Sequence, residues 1–157
     1  MKSASTRLVQ HMNAPRSTVY QAILDTESVA TWMVPTGMYS QIHMFEPHEG
    51  GRFRISLTYD NPQRSGKTTA NTDTYHGSFV KLVPDEQMVQ LIEFETDDPM
   101  MKGQMTVTIT LSDSAGGTEL LATHDNLPPG VPPADNELGW RMSLEKLAKL
   151  VEARVAR

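Results

Sequence analysis

Hydrophobic and polar residues alternate along several segments of the chain, most regularly between Arg52 and Tyr59. Apolar side chains occupy every second position there, at Phe53, Ile55, Leu57 and Tyr59. A period of two predicts a β-strand with one buried and one solvated face. Similar patterns predict seven strands, at residues 6–12, 41–46, 52–59, 72–83, 87–95, 105–111 and 118–124.

Turn signals between these segments favour direct antiparallel connections. Gly50-Gly51 precedes the third strand, Pro84-Asp85-Glu86 follows the fourth, and Gly116-Gly117 divides the last hairpin. Glycine and proline at such points are typical of tight turns. A longer polar loop is predicted from Asp60 to Asn71.

Helical spacing replaces the alternation in two short segments near the N-terminus. The first helix is predicted at residues 15–24, with Asn13 as a candidate cap. The second is capped by Asp25 or Thr26 and runs through Trp32. Helices this short must pack on the sheet to be stable.

A long helix is predicted from about Ala134 to the C-terminus, after the Pro-rich segment 126–133. Leu138 interrupts its polar face and is a candidate for a rim or a dimer contact. At 100° per residue, the apolar side chains of this helix form one stripe. The members of this stripe are Trp140, Leu144, Leu147, Ala148, Val151 and Val155.

The order of these elements predicts an α+β fold, in which a seven-stranded antiparallel sheet is covered by the C-terminal helix. A chain of 157 residues is expected to form one domain, residues 1–157. The space between such a sheet and helix is often a ligand cavity.

Composition narrows the possible functions. A net charge of −5 provides no basic patch for nucleic acid, and no apolar run is long enough for membrane insertion. The absence of cysteine excludes disulfides and thiol chemistry, and no histidine pair has metal-site spacing, so we expect no metal or cofactor.

Without an N-terminal signal segment the expected location is cytoplasmic. We expect a monomer or a weak homodimer.

The apolar strand faces and the helix stripe together form the predicted wall of a cavity. An ordinary packed core is the alternative for each of its members. The wall residues are Phe53, Ile55, Leu57, Tyr59, Val80, Leu82, Met88, Gln90, Ile92, Phe94, Val107, Ile109, Leu120, Ala122, Trp140, Leu144 and Leu147. Gln90 differs from the others because a buried amide without partners costs about 1–3 kcal/mol.

Two histidines are candidate polar groups of this cavity. Alternation places His124 on the face of Leu120 and Ala122, and His76 on the face of Val80. Each imidazole could anchor a ligand or perform acid–base chemistry. The structural alternative is a histidine held by hydrogen bonds near a strand end.

Two glutamates form the only regular pair of carboxylates on a predicted strand. Glu93 and Glu95 alternate with Ile92 and Phe94, so we expect both carboxylates to face solvent.

Several strings in order give the chain a resemblance to a known family. They are Trp32-Met33-Val34-Pro35, Glu49-Gly50-Gly51-Arg52-Phe53-Arg54, the run from Gly77 to Glu86, Gly117-Thr118-Glu119-Leu120 and Gly139-Trp140. Over residues 6–155 the chain resembles the activator of Hsp90 ATPase homologue family of the START-like (SRPBCC, Bet v 1-like) superfamily. The resemblance implies a helix-grip fold and no shared catalytic motif.

One position departs from the pattern of that family. Many relatives carry two adjacent tryptophans where this chain has Trp32 and Met33. The resemblance implies that both residues lie at the edge of the cavity, where a flexible thioether replaces a rigid aromatic ring.

The leading hypothesis is a binding protein for an apolar small molecule, lipid-like or polycyclic aromatic. One alternative is a cyclase, dehydratase or hydrolase that uses His76, His124 or Tyr59 in the same cavity. The family name suggests another alternative, a co-chaperone or stress-response protein that acts with Hsp90.

Overall fold

The computed structural model of the protein describes residues 4–61 and 71–156. Its elements in chain order are β1 (Ala4–Met12), α1 (Arg16–Leu24), α2 (Thr26–Trp32), β2 (Met38–Phe45), β3 (Arg52–Tyr59), β4 (Thr72–Val83), β5 (Gln87–Phe94), β6 (Met105–Ser114), β7 (Gly117–Leu127) and α3 (Pro133–Val155).

The seven strands form one antiparallel sheet in the order β1-β7-β6-β5-β4-β3-β2. The predicted α+β, helix-grip fold is therefore confirmed. The second strand begins at Met38, earlier than predicted, directly after Gly37 with its positive φ of 89°. The polar loop predicted from Asp60 to Asn71 lies, apart from its ends, outside the described residues.

Strand β1 forms one edge of the sheet and pairs with β7, although β1 is the first strand of the chain and β7 is the last. Thr6 lies opposite His124, and Leu8 lies opposite Ala122. Side chains that lie opposite one another in an antiparallel pair point to the same face. This pairing therefore continues the apolar face of the β6–β7 hairpin onto β1.

Hydrogen bonds cap α2 and join it to α1. The Asp25 carboxylate caps α2 by accepting from the Ser28 backbone N–H at 3.0 Å, as predicted. The Trp32 indole N–H donates to the Ala22 carbonyl of α1 at 3.0 Å. Asn13, the predicted cap of α1, instead donates its backbone N–H to the Glu152 carboxylate.

Helix α3 covers the apolar face with the side that contains Leu144, Leu147 and Val151. The Lys146 ammonium donates to the Val34 carbonyl at 2.7 Å, which ties α3 to the segment after α2. Val155 is 48% exposed, so the buried stripe ends one turn earlier than predicted.

A β-bulge in β4 changes which of its residues face α3. Phe79 pairs with Gln90 and Lys81 pairs with Val89, which leaves Val80 between them without a partner. Phe79 is fully buried, whereas Val80 is 50% exposed. The prediction that Val80 lines the interior is wrong, because the inserted residue reverses the alternation on one side of the bulge.

Gly77 provides a test of how closely β4 and β5 approach. A Cβ at Gly77 would overlap the Leu91 carbonyl oxygen and lie 2.7 Å from the Phe53 ring. We expect Gly77→Ala to lower the free energy of unfolding by about 2–3 kcal/mol, because backbone and ring cannot both move aside. Urea denaturation measures this change.

Gly139→Ala is the matched control, because its Cβ would lie 3.6 Å from Pro35, an ordinary contact. Alanine in a helix is favoured over glycine by about 0.5–1 kcal/mol, so this variant should be slightly stabilised. Equal stability of the two variants would contradict the close approach at Gly77.

Candidate functional site at the inner face of the sheet

The face of the sheet that packs against α3 is here called the inner face. Strand pairing arranges its side chains in rows that cross the strands. One row contains Thr6, His124, Val107, Gln90 and Phe79. The next row contains Met105, Ile92, Gly77, Phe53 and Phe45.

Most of the predicted wall residues are buried in the core between the sheet and the helices. These residues are Trp32, Phe53, Ile55, Met88, Gln90, Ile92, Val107, Ile109, Leu120, Ala122, His124, Leu144 and Leu147. Met33, Leu57, Tyr59 and Trp140 are only partly buried. Whether any of these residues contacts a ligand stays a prediction.

Aromatic side chains fill much of the interior. The Phe53 and Phe79 rings lie 5.3 Å apart, and Phe45 lies 5.5 Å from Phe79. Two open hollows lie at the surface, one beside Pro15 and the other beside Tyr20. Close packing is therefore shown for this group of three rings.

Packing is less complete at one end of the inner face, here called the open end and defined by Ile42, Leu57, Phe94, Met101 and Trp140. All five side chains pack against the core, yet all remain partly exposed. Strands β3, β5 and β7 end here and α3 begins here. Apolar side chains at this end therefore meet solvent.

Polar groups also reach the open end of the inner face. Ser40 lies opposite Leu57, and its buried hydroxyl has no hydrogen-bond partner among the described residues. Leu57 also pairs with Asp73, on the neighbouring strand β4. The Asp73 side chain is almost fully buried and has interactions of its own. Burial raises the pKa of the nearby Tyr75 hydroxyl.

A hydrogen-bond cluster at His124 joins α3 to the sheet beside this open end. The Trp140 indole N–H donates to His124 Nδ1 at 3.0 Å, and the Asn136 amide lies 3.2 Å from the same nitrogen. Asn136 also donates to the Thr6 hydroxyl at 3.0 Å. The other ring nitrogen, Nε2, faces the Met105 sulfur at 3.2 Å.

The donors around His124 determine its protonation state. Because Nδ1 accepts from Trp140 and Asn136, the ring hydrogen lies on Nε2 and the imidazole is neutral. Burial lowers the pKa of His124 to about 4, against a smaller opposing effect of Asp125. These contacts support the structural alternative for His124 and give its acid–base role no support.

His76 lies on the outer face of the sheet, so the prediction that it enters the interior is wrong. Its Nε2 lies 2.8 Å from Glu93 and its Nδ1 lies 3.0 Å from Glu95. The Phe79–Lys81 bulge explains the error, because counting back by two from Leu82 crosses the inserted residue.

The outer face beside His76 is a surface of ion pairs. The Arg54 guanidinium donates two hydrogen bonds to the Glu95 carboxylate, at 2.8 and 2.9 Å. These bonds are the main reason why the pKa of Glu95 is lowered. The prediction that Glu93 and Glu95 face away from the core is confirmed.

Gln90 is buried within the inner face, as its place in the alternation predicts. Only 3% of its surface is exposed, and its side-chain oxygen, Oε1, has no hydrogen-bond partner among the described residues. An unpaired buried acceptor is uncommon because it loses the hydrogen bond that water supplies in the unfolded chain.

Sequence reasoning missed Asn136 and Thr6, which complete the cluster at His124. The spacing of Asn136 and Trp140, four residues apart on one helix face, is a signal that could have identified the first. No pattern in the sequence identifies Thr6, because its position opposite His124 depends on the pairing of β1 with β7.

Residues 4–61 and 71–156 show neither a metal-binding cluster nor a helix that could span a membrane. That part of the chain contains no group of three or more histidine, aspartate or glutamate side chains arranged to hold a metal ion. None of its helices is long and apolar enough to cross a membrane.

Comparison with known proteins agrees with this fold. The family model described as Activator of Hsp90 ATPase homolog 1-like protein matches residues 13–152. A solved structure from Chromobacterium violaceum is 30% identical, with a TM-score of 0.84, over 94% of this chain and 96% of that one. The AHSA1 protein of Silicibacter pomeroyi is 17% identical, with a TM-score of 0.78, over 96% and 99% of the two chains. No curated protein matches.

The lowered pKa of His124 predicts acid sensitivity. Between pH 6.5 and about 4 the unfolded chain binds a proton that the folded chain does not, so the free energy of unfolding falls as the pH falls. The loss begins below pH 6.5 and reaches about 3 kcal/mol near pH 4. Urea denaturation at a series of pH values measures it.

His124→Gln keeps a hydrogen-bond acceptor but removes the titration, so its stability should depend less on pH over this range. His48→Gln is the control, because His48 is exposed and should leave the wild-type slope unchanged. Identical slopes for wild type and His124→Gln would show that another group causes the acid sensitivity.

Proposed function

We propose that this chain, which belongs to the family of Activator of Hsp90 ATPase homolog 1-like proteins, binds an apolar small molecule at the open end of its inner face. The molecule would lie between the sheet and the first half of α3. This is a binding function to which no reaction is assigned.

The observation that carries this proposal is the gradient of burial along the inner face. Phe53, Ile92 and Met105 are fully or almost fully buried, whereas Leu57 and Phe94, farther along β3 and β5, are partly exposed. A group of apolar side chains that is left partly exposed beside the core is typical of an interaction or ligand site.

The side chains around the open end suit a ligand of variable shape. Met33 and Met101 are partly buried against the core, and Met105 lies between His124 and Ile92. Methionine is unbranched and flexible, so these side chains can adjust to a ligand at small cost.

The apolar area that a ligand buries sets an upper limit on its affinity. A ligand that buries about 300 Å² of apolar surface gains about 7.5 kcal/mol at about 25 cal/mol per Å², before the cost of association is subtracted. The upper limit therefore corresponds to a Kd of a few micromolar, and the cost of association weakens binding from there.

Native mass spectrometry of the purified protein, followed by organic extraction, is the direct test of the proposal. A co-purifying apolar compound would support it and would identify the chemical class. The neutral fluorescent probe N-phenyl-1-naphthylamine then gives an affinity whether or not a compound co-purifies. The absence of both a co-purifying compound and probe binding would refute the proposal.

Filling the open end should abolish this binding. Leu57 lies on the inner face of β3, so Leu57→Trp would place an indole where the ligand lies. We expect the affinity for N-phenyl-1-naphthylamine to fall at least tenfold, measured by fluorescence titration, with the fold retained by circular dichroism.

Leu138→Trp is the matched control, since Leu138 is 52% exposed on α3 and the same indole there would lie in solvent. Its affinity for the probe should equal that of the wild type. If the two variants bind equally well, the ligand does not lie at the open end.

A further inference from the structure

Gln90 is the polar member of an otherwise apolar part of the inner face. Its neighbours on β5 that share this face are Met88 and Ile92, and the residues opposite it are Val107 on β6 and Phe79 on β4. All four are fully or almost fully buried. The amide oxygen is therefore enclosed by side chains that offer it no hydrogen-bond donor.

Gln90 Oε1 has no hydrogen-bond partner among the described residues, and the polar groups of its own row are engaged elsewhere. His124 accepts from Trp140 and Asn136, and Asn136 donates to Thr6. Val107 separates His124 from Gln90 in the row. The cluster that holds α3 thus leaves the Gln90 acceptor unsatisfied.

We infer that Gln90 is the inner, polar end of the ligand site, and that the site selects apolar molecules that carry one hydrogen-bond donor, a hydroxyl or an N–H. This inference rests on the proposed function and adds the chemistry of the ligand to it. The donor binds to Gln90 Oε1, and the apolar body extends toward the open end.

The path between Gln90 and the open end runs along β5. Gln90, Ile92 and Phe94 point to the same face, and Phe94 lies at the open end. Four residues of strand span about 13 Å, which sets the length of a ligand that reaches from one to the other. Met105 lies opposite Ile92 beside this path, and its flexible side chain can move to admit a ligand.

A matched pair of probes tests the inference. 2-Naphthol carries one hydroxyl donor, and 2-methoxynaphthalene has the same ring system without the donor. The variant Gln90→Met removes the acceptor and keeps the length and approximate volume of the side chain. We expect Gln90→Met to weaken the binding of 2-naphthol about tenfold and to leave that of 2-methoxynaphthalene unchanged or tighter.

Gln41→Met is the control variant, because Gln41 is exposed on β2 and the same replacement there should change neither affinity. Isothermal titration calorimetry measures both probes on the three proteins. Circular dichroism and thermal melting establish that Gln90→Met is folded, and its melting temperature should equal or exceed that of the wild type because an unpaired acceptor is removed.

A second measurement uses the wild-type protein alone and does not depend on any variant. The ¹³Cδ resonance of Gln90 reports hydrogen bonding to its carbonyl. It should move to higher chemical shift with 2-naphthol and stay in place with 2-methoxynaphthalene.

The two proposals fail in different ways. If the wild type binds both probes and neither Gln90→Met nor the ¹³Cδ shift distinguishes them, the role of Gln90 is overturned while the binding function stands. If the wild type binds neither probe nor N-phenyl-1-naphthylamine, the binding function itself is overturned, and the inference with it.

Discussion

The hydrogen bond from the Trp140 indole to His124 Nδ1 determines how the helix sits on the sheet. Together with the hydrogen bonds of Asn136, it is a directional contact in a mainly apolar interface, and apolar contacts alone would allow α3 to slide. The bond also keeps the imidazole neutral, because Nδ1 must remain an acceptor. Since Trp140 borders the open end, the same contact holds α3 against the inner face there.

The architecture could be predicted from the sequence because two periodicities are strong in it. The alternation at Phe53, Ile55 and Leu57 and the helical stripe from Leu144 to Val151 each reflect burial on one face. The positions of His76 and Val80 could not be predicted in the same way. They depend on a bulge in β4, and an inserted residue leaves no mark in an alternation that continues on both sides of it.

The candidate site was predictable only in part, for a related reason. Gln90 is a polar residue in an apolar alternation, so both its burial and its unusual environment follow from local sequence. The partial exposure of Leu57 and Phe94 depends instead on the placement of the helices over the sheet. That placement is fixed by contacts such as Asn136 to Thr6, between residues 130 positions apart, which no local pattern contains.

The position of β1 beside β7 has a consequence for how the chain folds. Strands β2 to β7 form a meander in which each strand pairs with its neighbour in sequence, but β1 must wait for a partner whose contacts with it, such as Ser5 to Asp125, span 120 positions. Such non-local pairing slows folding because a long loop must close before the contact forms. During synthesis β1 leaves the ribosome before β2 to β7 and stays without its strand partner until β7 follows. The sheet is therefore completed only once β7 has been synthesised.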